Sequence, residues 1–213
     1  MDDSKFQQAT QYAIDLMRRE ILPAFAYHNA DHTLAVVNAC NRLAELEGID
    51  AESLRLLLLA AHFHDTGLTS ISSTDTDAFQ AGRAVHEERA VQIARDFLSH
   101  CDLEEREMEV IARLIMATKW GHTPTDRLEQ IISDADMSSL GQTTDAFIQS
   151  SEALRRELRS FGIESGEMEW YQSQKELLEN HSYHTPSARQ LFDHNRLINC
   201  AAMQSHLAAL KAE

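Results

Sequence analysis

A histidine and an aspartate stand side by side, as His64 and Asp65, where an apolar run ends. The run, from Leu56 to Ala61, predicts a buried helix, and ionisable side chains are rarely buried unless they are paired or bind a metal. His32 and an aspartate of the segment 134–136 also lie beside apolar stretches. Imidazole and carboxylate ligands together suit Zn, Fe, Mn or Co, whereas an all-oxygen set would favour Mg or Ca. The residue types therefore indicate a candidate transition-metal site, although spacing alone does not prove that these side chains converge.

The elements that must position these side chains are predicted to be helices. Apolar residues recur at helical spacing, only 7 glycines and 3 prolines interrupt the pattern, and no strand alternation is visible. His32 falls in the first turn of a helix for which Asp31 is the expected cap, and His28 falls in the turn before it. The polar segment 66–82 is expected to be a loop. We predict an all-α fold of about eight or nine helices, within the approximate ranges 3–22, 32–48, 51–65, 83–100, 103–118, 128–141, 144–160, 166–180 and 186–212.

The composition is that of an ordinary globular protein. A chain of 213 residues with 43% hydrophobic and 25% charged residues suits a single domain, which we expect to span 1–213. The formal net charge of −15 argues against a nucleic-acid polymer or an anionic membrane as partner. It does not argue against a small anionic substrate, because a bound metal ion can invert the local field.

The cysteines and the termini point to a reducing compartment. Cys40, Cys101 and Cys200 are isolated, so neither a disulfide framework nor a thiolate zinc site is indicated. The acidic N-terminus lacks an apolar targeting region, and no apolar run approaches the roughly 20 residues of a membrane span. A cytoplasmic location is therefore expected.

Four motifs in fixed order carry a resemblance to a known family. They are Tyr-His-Asn-x-x-His-Thr at 27–33, Ala-Ala-His-Phe-His-Asp-Thr-Gly at 60–67, His-Glu at 86–87 and Asp-Ala-Asp-Met-Ser-Ser-Leu-Gly at 134–141. Together they resemble the HD-domain metal-dependent phosphohydrolase superfamily, and within it a group of bacterial predicted hydrolases. The resemblance implies a helical HD-domain fold with a motif core at about 20–145, on which C-terminal helices from 146–213 would pack.

The resemblance also implies a set of metal ligands. His32, His64 and Asp65 match the first three ligands of the family pattern, and Asp136 matches the fourth, with Asp134 as the alternative. The implied cofactor is one divalent transition metal ion, Mn, Fe, Co, Zn or Ni rather than Mg. A second ion is in doubt, because Ala117-Thr118 stands where two-metal relatives tend to carry a further histidine.

Other residues receive roles from the same resemblance. The first motif also looks like that of cyclic nucleotide phosphodiesterases, in which the histidine matched by His28 protonates the leaving oxygen. Asp65 is the candidate acceptor of a proton from the attacking water. Lys119 and His86 are the candidate substrate-binding residues, and His86 is also placed to help hold a second ion, with Asp65 as the bridge.

The implied function is metal-dependent hydrolysis of a small-molecule phosphate ester. The ester is a phosphomonoester or a phosphodiester, and nucleotides are within the class. Two other functions stay open: a diiron oxygenase on the same scaffold, which needs the full two-metal ligand set, and a non-catalytic sensor module in which the metal is structural.

Overall fold

The computed structural model describes residues 1–212 and is helical throughout, with no strand in that range. The all-α prediction is confirmed, but the structure has ten α-helices rather than eight or nine. Two 3-10 helices, Thr66–Ser70 and Met137–Gly141, accompany them. The α-helices are α1 Asp3–Glu20, α2 Ala30–Leu46, α3 Ala51–Phe63, α4 Thr76–Arg83, α5 His86–Leu98, α6 Glu105–Met116, α7 Arg127–Asp136, α8 Thr144–Ser160, α9 Glu167–Asn180 and α10 Pro186–Leu210.

The segment 66–82 is not the loop that its composition predicts. It contains the 3-10 helix Thr66–Ser70 and most of α4, whose first turn is capped by Asp75 through a 2.9 Å hydrogen bond from the Ala78 amide. Phe79 is buried and stacks on Phe161, with ring centroids 4.0 Å apart. Helices of five and eight residues are too short for apolar periodicity to register in the sequence, so a single buried aromatic was the only signal.

Helix α3 lies at the centre of the molecule. It contacts α1, α2, α5, α6 and α7, and its second half is apolar except for His62. Leu57, Leu59 and Phe63 are fully buried, which confirms the prediction of a buried helix. Each such side chain stabilises the folded state by about 1.5–3 kcal/mol, because its apolar surface is removed from water. This burial fixes the C-terminal end of α3, where His64 and Asp65 follow.

Helix α2 begins earlier than predicted, because Asn29 rather than Asp31 is its cap. The Asn29 side-chain oxygen accepts hydrogen bonds from the Asp31 amide at 2.9 Å and the His32 amide at 3.3 Å. Asn29 satisfies amides that the first turn would otherwise leave unpaired. His32 is consequently held in the first turn, as predicted, and His28 lies just before the helix.

The C-terminal helices pack on the rest of the chain around the second 3-10 helix. Helix α10 contacts α9, α8, α2 and the 3-10 helix Met137–Gly141. The Asn199 amide donates to the carbonyls of Leu140 and Gln142 at 2.9 and 3.0 Å. That one domain spans the whole chain stays a prediction. Within residues 1–212, no helix has both the length and the apolar composition that crossing a bilayer requires.

Candidate metal centre and cavity

The end of α3 presents two buried groups without partners. His64 is 1% exposed, and its Nδ1 donates to the carbonyl of Ala61 at 2.8 Å. Its Nε2 has no hydrogen-bond partner among residues 1–212, and neither has Oδ2 of the adjacent Asp65, which is 3% exposed. Buried polar atoms are rarely left unpaired, so these two atoms point to a group that binds between them.

The side chains of His32 and Asp136 complete a compact cluster with His64 and Asp65. His32 Nε2 lies 3.1 Å from Asp136 Oδ1 and 3.6 Å from Asp65 Oδ2. His64 Nε2 lies 3.3 Å from Asp65 Oδ2 and 3.6 Å from Asp136 Oδ1. Ligands bonded to one octahedral ion at about 2.1 Å lie about 3.0 to 4.2 Å apart. Ligand atoms of His32, His64 and Asp136 all lie within 4.8 Å of one another, which suits one divalent cation, and Asp65 lies beside the two histidines; we call these four side chains the metal cluster.

The charges within this cluster also suit a cation. Burial opposes a positive charge on His64, but the carboxylates of Asp65 and Asp136 outweigh it and hold the pKa of His64 well above its usual value. Burial likewise opposes ionisation of the two carboxyls, yet the neighbouring histidines hold the pKa of each well below its usual value. One buried carboxylate, of Asp65, and one half-buried carboxylate, of Asp136, thus face the imidazoles, and one divalent cation would balance both.

Asp134 has a different environment from Asp136. It is fully buried; its Oδ1 accepts a hydrogen bond from the His184 amide at 2.8 Å, and its Oδ2 accepts from the amide and hydroxyl of Thr185 at 2.8 and 2.7 Å. Its carboxylate is therefore committed to fastening the segment before α10. This arrangement favours Asp136 as the fourth ligand, which stays a prediction.

His86 approaches Oδ1 of Asp65, whereas His32 and His64 approach its Oδ2. It is the first residue of α5, its Nδ1 donates to the carbonyl of Arg83 at 2.7 Å, and its Nε2 lies 3.7 Å from Asp65 Oδ1. Burial lowers the pKa of His86, but Asp65 outweighs that effect and raises it. The Asp65 carboxylate thus lies between His86 and the other two histidines, which is the position that a bridging carboxylate would take. Occupancy by a second ion stays an open prediction.

His28 is held by a residue that the motifs did not reveal, Glu157 of α8. His28 Nδ1 lies 2.6 Å from Glu157 Oε1, and the amides of Tyr27 and His28 both donate to Glu157 Oε2 at 2.9 Å. Glu157 is fully buried, which opposes its ionisation, but His28 and these amides lower its pKa. Because Nδ1 is occupied, Nε2 is the imidazole nitrogen left for a bound substrate.

His28 and the two carboxylates of the metal cluster border a cavity of about 310 Å3. Asp65, Asp136 and His86 line it, as does Lys119, which follows α6. The Lys119 ammonium is 2.5 Å from Glu88 Oε1 and 3.3 Å from the carbonyl of Ala84, so a phosphate would have to compete with Glu88 for it. The lining residues from α8 and α9, which we call the neutral wall, are all uncharged: Phe147, Ser150, Ser151, Leu154, Gln174 and Leu177.

Comparison with known proteins identifies the family. Residues 29–141, slightly more than half of the chain, match the HD domain. The chain belongs to the HD-domain family. This family is a superfamily of metal-dependent hydrolases whose members bind divalent metals, and His32, His64 and Asp136 form a group in this chain that could hold such an ion.

A comparison of folds covers the whole chain. The chain resembles the crystal structure of a protein from Lactobacillus plantarum, determined as a structural genomics target, with a TM-score of 0.66. The two are 17% identical, and the alignment covers 100% of this chain and 99% of the other. No curated protein matches the sequence. The likeness at this identity concerns the fold alone.

Three functional groups were missed by sequence reasoning: the Tyr27 hydroxyl and Gln174, which line the cavity, and Glu157, which pairs with His28. The Tyr27 hydroxyl lies 3.2 Å from the Ser139 hydroxyl, and the two form a hydrogen bond. Ser139 belongs to the second 3-10 helix. Glu157 falls on the same stripe of α8 as Leu154 and is followed by the buried Phe161 just past the end of the helix, so a carboxylate at a core position of an amphipathic helix was the available signal. For Gln174 no comparable signal exists, because glutamine is common on exposed helix faces.

Proposed function

We propose that this HD-domain chain hydrolyses a phosphomonoester or phosphodiester of a small molecule with the help of a divalent transition metal. The observation that carries the proposal is the His28–Glu157 pair, whose His28 lines the same cavity as Asp65 and Asp136 of the metal cluster. A buried acid–base pair beside a cation site is what cleavage of an ester with a poor leaving group needs. A merely structural metal would not need such a pair.

The proposed ligands are His32, His64, Asp65 and Asp136. Their side-chain atoms supply imidazole nitrogen and carboxylate oxygen at separations that fit one ion. A divalent metal bound there supplies Lewis-acid polarisation of the phosphoryl group and a bound water of lowered pKa. Nitrogen and oxygen ligands together favour Mn, Fe, Co, Zn or Ni over Mg.

Each remaining role is assigned to a stated atom of the chain. Asp65 accepts a proton from the attacking water through a carboxylate oxygen, since its Oδ2 is buried and has no partner among the described residues. His28 donates a proton from Nε2 to the leaving oxygen, while Glu157 holds Nδ1 and steadies the imidazolium. His86 and Lys119 bind phosphoryl oxygens. Lys119 does so after its ammonium leaves the ion pair with Glu88.

A diiron oxygenase is the second candidate, and one observation favours it. His86 Nε2 lies 3.7 Å from Asp65 Oδ1, so a second cation beside Asp65 would have at least these two ligands. The residues after α6 count against it, since the turn there carries Ala117 and Thr118 rather than a further histidine. The phosphohydrolase needs only the ion held by the metal cluster, and it is therefore the preferred function.

The test combines elemental analysis with turnover. We expect about one or two transition-metal ions per purified chain and metal-dependent phosphate release from a panel of phosphomonoesters and phosphodiesters. Asp65→Asn should abolish most turnover, whereas Asp31→Asn, on the exposed side of α2, should not. Two irons with oxygen consumption and no phosphate release would establish the oxygenase instead. Absence of bound metal under every condition would overturn both enzymes and leave a non-catalytic helical domain as the better account.

A further inference from the structure

Arg83 is the one cation of the cavity lining that has no anionic partner within residues 1–212. Four residues that can carry a positive charge line the cavity, and three of them lie beside a carboxylate: His28 beside Glu157, His86 beside Asp65 and Lys119 beside Glu88. The fourth is Arg83, which is exposed. Its guanidinium lies over the Phe79 ring, 5.9 Å from the ring centroid, and makes neither an ion pair nor a hydrogen bond in that range.

The backbone of Arg83 is held in place although its guanidinium is unpaired. Arg83 ends α4, and its carbonyl accepts a hydrogen bond from His86 Nδ1 at 2.7 Å. The preceding residue, Gly82, packs so closely on Ile71 that a Cβ would lie 2.5 Å from the Ile71 side chain. A side chain on a fixed backbone has less freedom to lose when it binds a ligand. The planar fork of guanidinium donors matches a carboxylate or a phosphoryl group.

Arg83 approaches the cavity from beyond the groups that are assigned to the reacting phosphoryl group. Its carbonyl lies at Nδ1 of the His86 ring, whereas Asp65 Oδ1 lies 3.7 Å from Nε2 of the same ring. The His86 ring thus separates the Arg83 backbone from the metal cluster. The guanidinium is therefore available to a part of the substrate that His86 and Lys119 do not hold.

Within the described part of the chain, Arg83 is the ionic partner that remains for a second anionic group of the substrate. The neutral wall carries no charge, so an anion placed against it would lose its hydration without compensation. Glu87 also lines the cavity, but its Oε2 lies 3.2 Å from His86 Nδ1, and it makes no ion pair with Arg83. In a chain of net charge −15, an unpaired cation at the cavity attracts an anion to that place.

We infer that Arg83 is a specificity-determining residue that binds a second anionic group of the substrate, a carboxylate or a phosphoryl group, beyond the phosphoryl group that is cleaved. The inference rests on the proposed function for one point only, namely that the cleaved phosphoryl group lies at the metal cluster. The substrate class is then a phosphate ester with two anionic groups. Its recognition can be measured without turnover by the use of phosphonates, which lack the ester bond.

The test is calorimetric titration of the full chain, as purified, with three phosphonates. Propylphosphonate has one anionic group, 3-phosphonopropionate adds a carboxylate, and propane-1,3-diphosphonate adds a second phosphonate. We expect at least one of the two-anion probes to bind about tenfold more tightly than propylphosphonate. Arg83→Gln should remove this preference, and Arg83→Lys, which keeps the charge but loses the fork, should retain part of it.

Arg89→Gln is the matched control, because it removes the same charge six positions along the chain. Arg89 is exposed, donates to the Ser70 hydroxyl at 2.6 Å and does not line the cavity. This variant should keep the preference of the parent chain. Elemental analysis after each titration verifies that the probe has not removed the metal.

Each outcome decides the matter. A preference for two-anion probes that is lost in Arg83→Gln and kept in Arg89→Gln supports the inference, and the preferred probe decides between a carboxylate and a phosphoryl group. Absence of the preference in the parent chain overturns the inference, as does a preference that Arg83→Gln keeps. An equal loss in Arg89→Gln also overturns it, in favour of a general effect of charge. An Arg83-dependent preference without phosphate release from any ester overturns the proposed function alone.

Discussion

Glu157 Oε1 lies 2.6 Å from His28 Nδ1, although the two residues are 129 positions apart in the chain. The same carboxylate accepts hydrogen bonds from the backbone amides of Tyr27 and His28. It therefore fixes both the backbone of this segment and the His28 imidazole. A buried carboxylate that holds an imidazole nitrogen sets which nitrogen carries the transferable proton.

Replacing Glu157 by glutamine should therefore impair proton donation and leave metal binding intact. We expect kcat to fall by about 10–100-fold and the pH profile of kcat to change, with unchanged metal content. Steady-state kinetics against pH, together with elemental analysis, measures this. Glu152→Gln on the same helix is the control, since Glu152 pairs with Tyr171 and Arg155 instead. A parent-like pH profile in Glu157→Gln would exclude the positioning role.

Asp134 and Asp136 should give opposite results when each is changed to asparagine. Asp136→Asn should lower the bound metal per chain with a modest effect on folding, because its carboxylate faces His32 and His64. Asp134→Asn should retain metal but lose about 1–3 kcal/mol of unfolding free energy, because an NH2 group would then oppose the donors of Thr185. Elemental analysis and urea denaturation of both variants separate the two roles, and loss of metal in Asp134→Asn alone would reverse the assignment.

Lys119 should affect substrate affinity more than the chemical step. Removing it in Lys119→Ala should raise KM up to about tenfold with little change in kcat. Glu88→Gln should act in the opposite direction and lower KM, because it releases the ammonium from an exposed ion pair that is itself weak. Lys175→Ala, which breaks the Glu179 pair on α9, is the matched control. If Glu88→Gln raises KM as Lys119→Ala does, then the ion pair is only structural.

Gly67 should tolerate no side chain. A Cβ there would lie 1.9 Å from the His86 carbonyl oxygen and 2.8 Å from the Ala90 amide nitrogen, both of them backbone atoms. Gly67→Ala should cost about 1–3 kcal/mol or more and should lower activity, because α5 must move and carry His86 with it. Gly166→Ala, with open space around its Cβ position, is the comparison variant. Equal denaturation midpoints for the two variants would contradict the close approach.

Glu129 should make the fold sensitive to acid. It is 1% exposed; burial opposes its ionisation, but Thr125, Arg113 and His122 outweigh that and lower its pKa from 4.5 to about 2. A lowered folded-state pKa means that the stabilisation is complete above pH 4.5 and is lost as pH falls towards 2. The difference in unfolding free energy between the parent chain and Glu129→Gln should be about 3 kcal/mol at pH 7 and should shrink by pH 3. A difference independent of pH would show that Glu129 acts only through its shape.

The sequence was sufficient for those parts of the site that local patterns determine. The residues of the metal cluster lie at ends of strongly apolar helices, within short motifs, and the structure brings their side chains together. Glu157 and Gln174 could not be found in this way, because Glu157 meets His28, and Gln174 meets the cavity, only through the packing of α8 and α9 against distant elements. The short helices in 66–83 were missed because their stability comes from tertiary contacts such as those of Phe79.

The last turn of α7 has two attachments that lie two residues apart. Asp134 is fastened to the amides that precede α10, and Asp136 faces the histidines of the metal cluster. Helix α10 packs on α9, the helix that carries Gln174. A substrate that shifts α9 would therefore pull on α7 through Asp134 and alter the position of the Asp136 carboxylate. Occupation of the neutral wall and the strength of cation binding would then be thermodynamically linked, each raising or lowering the affinity for the other by the same factor.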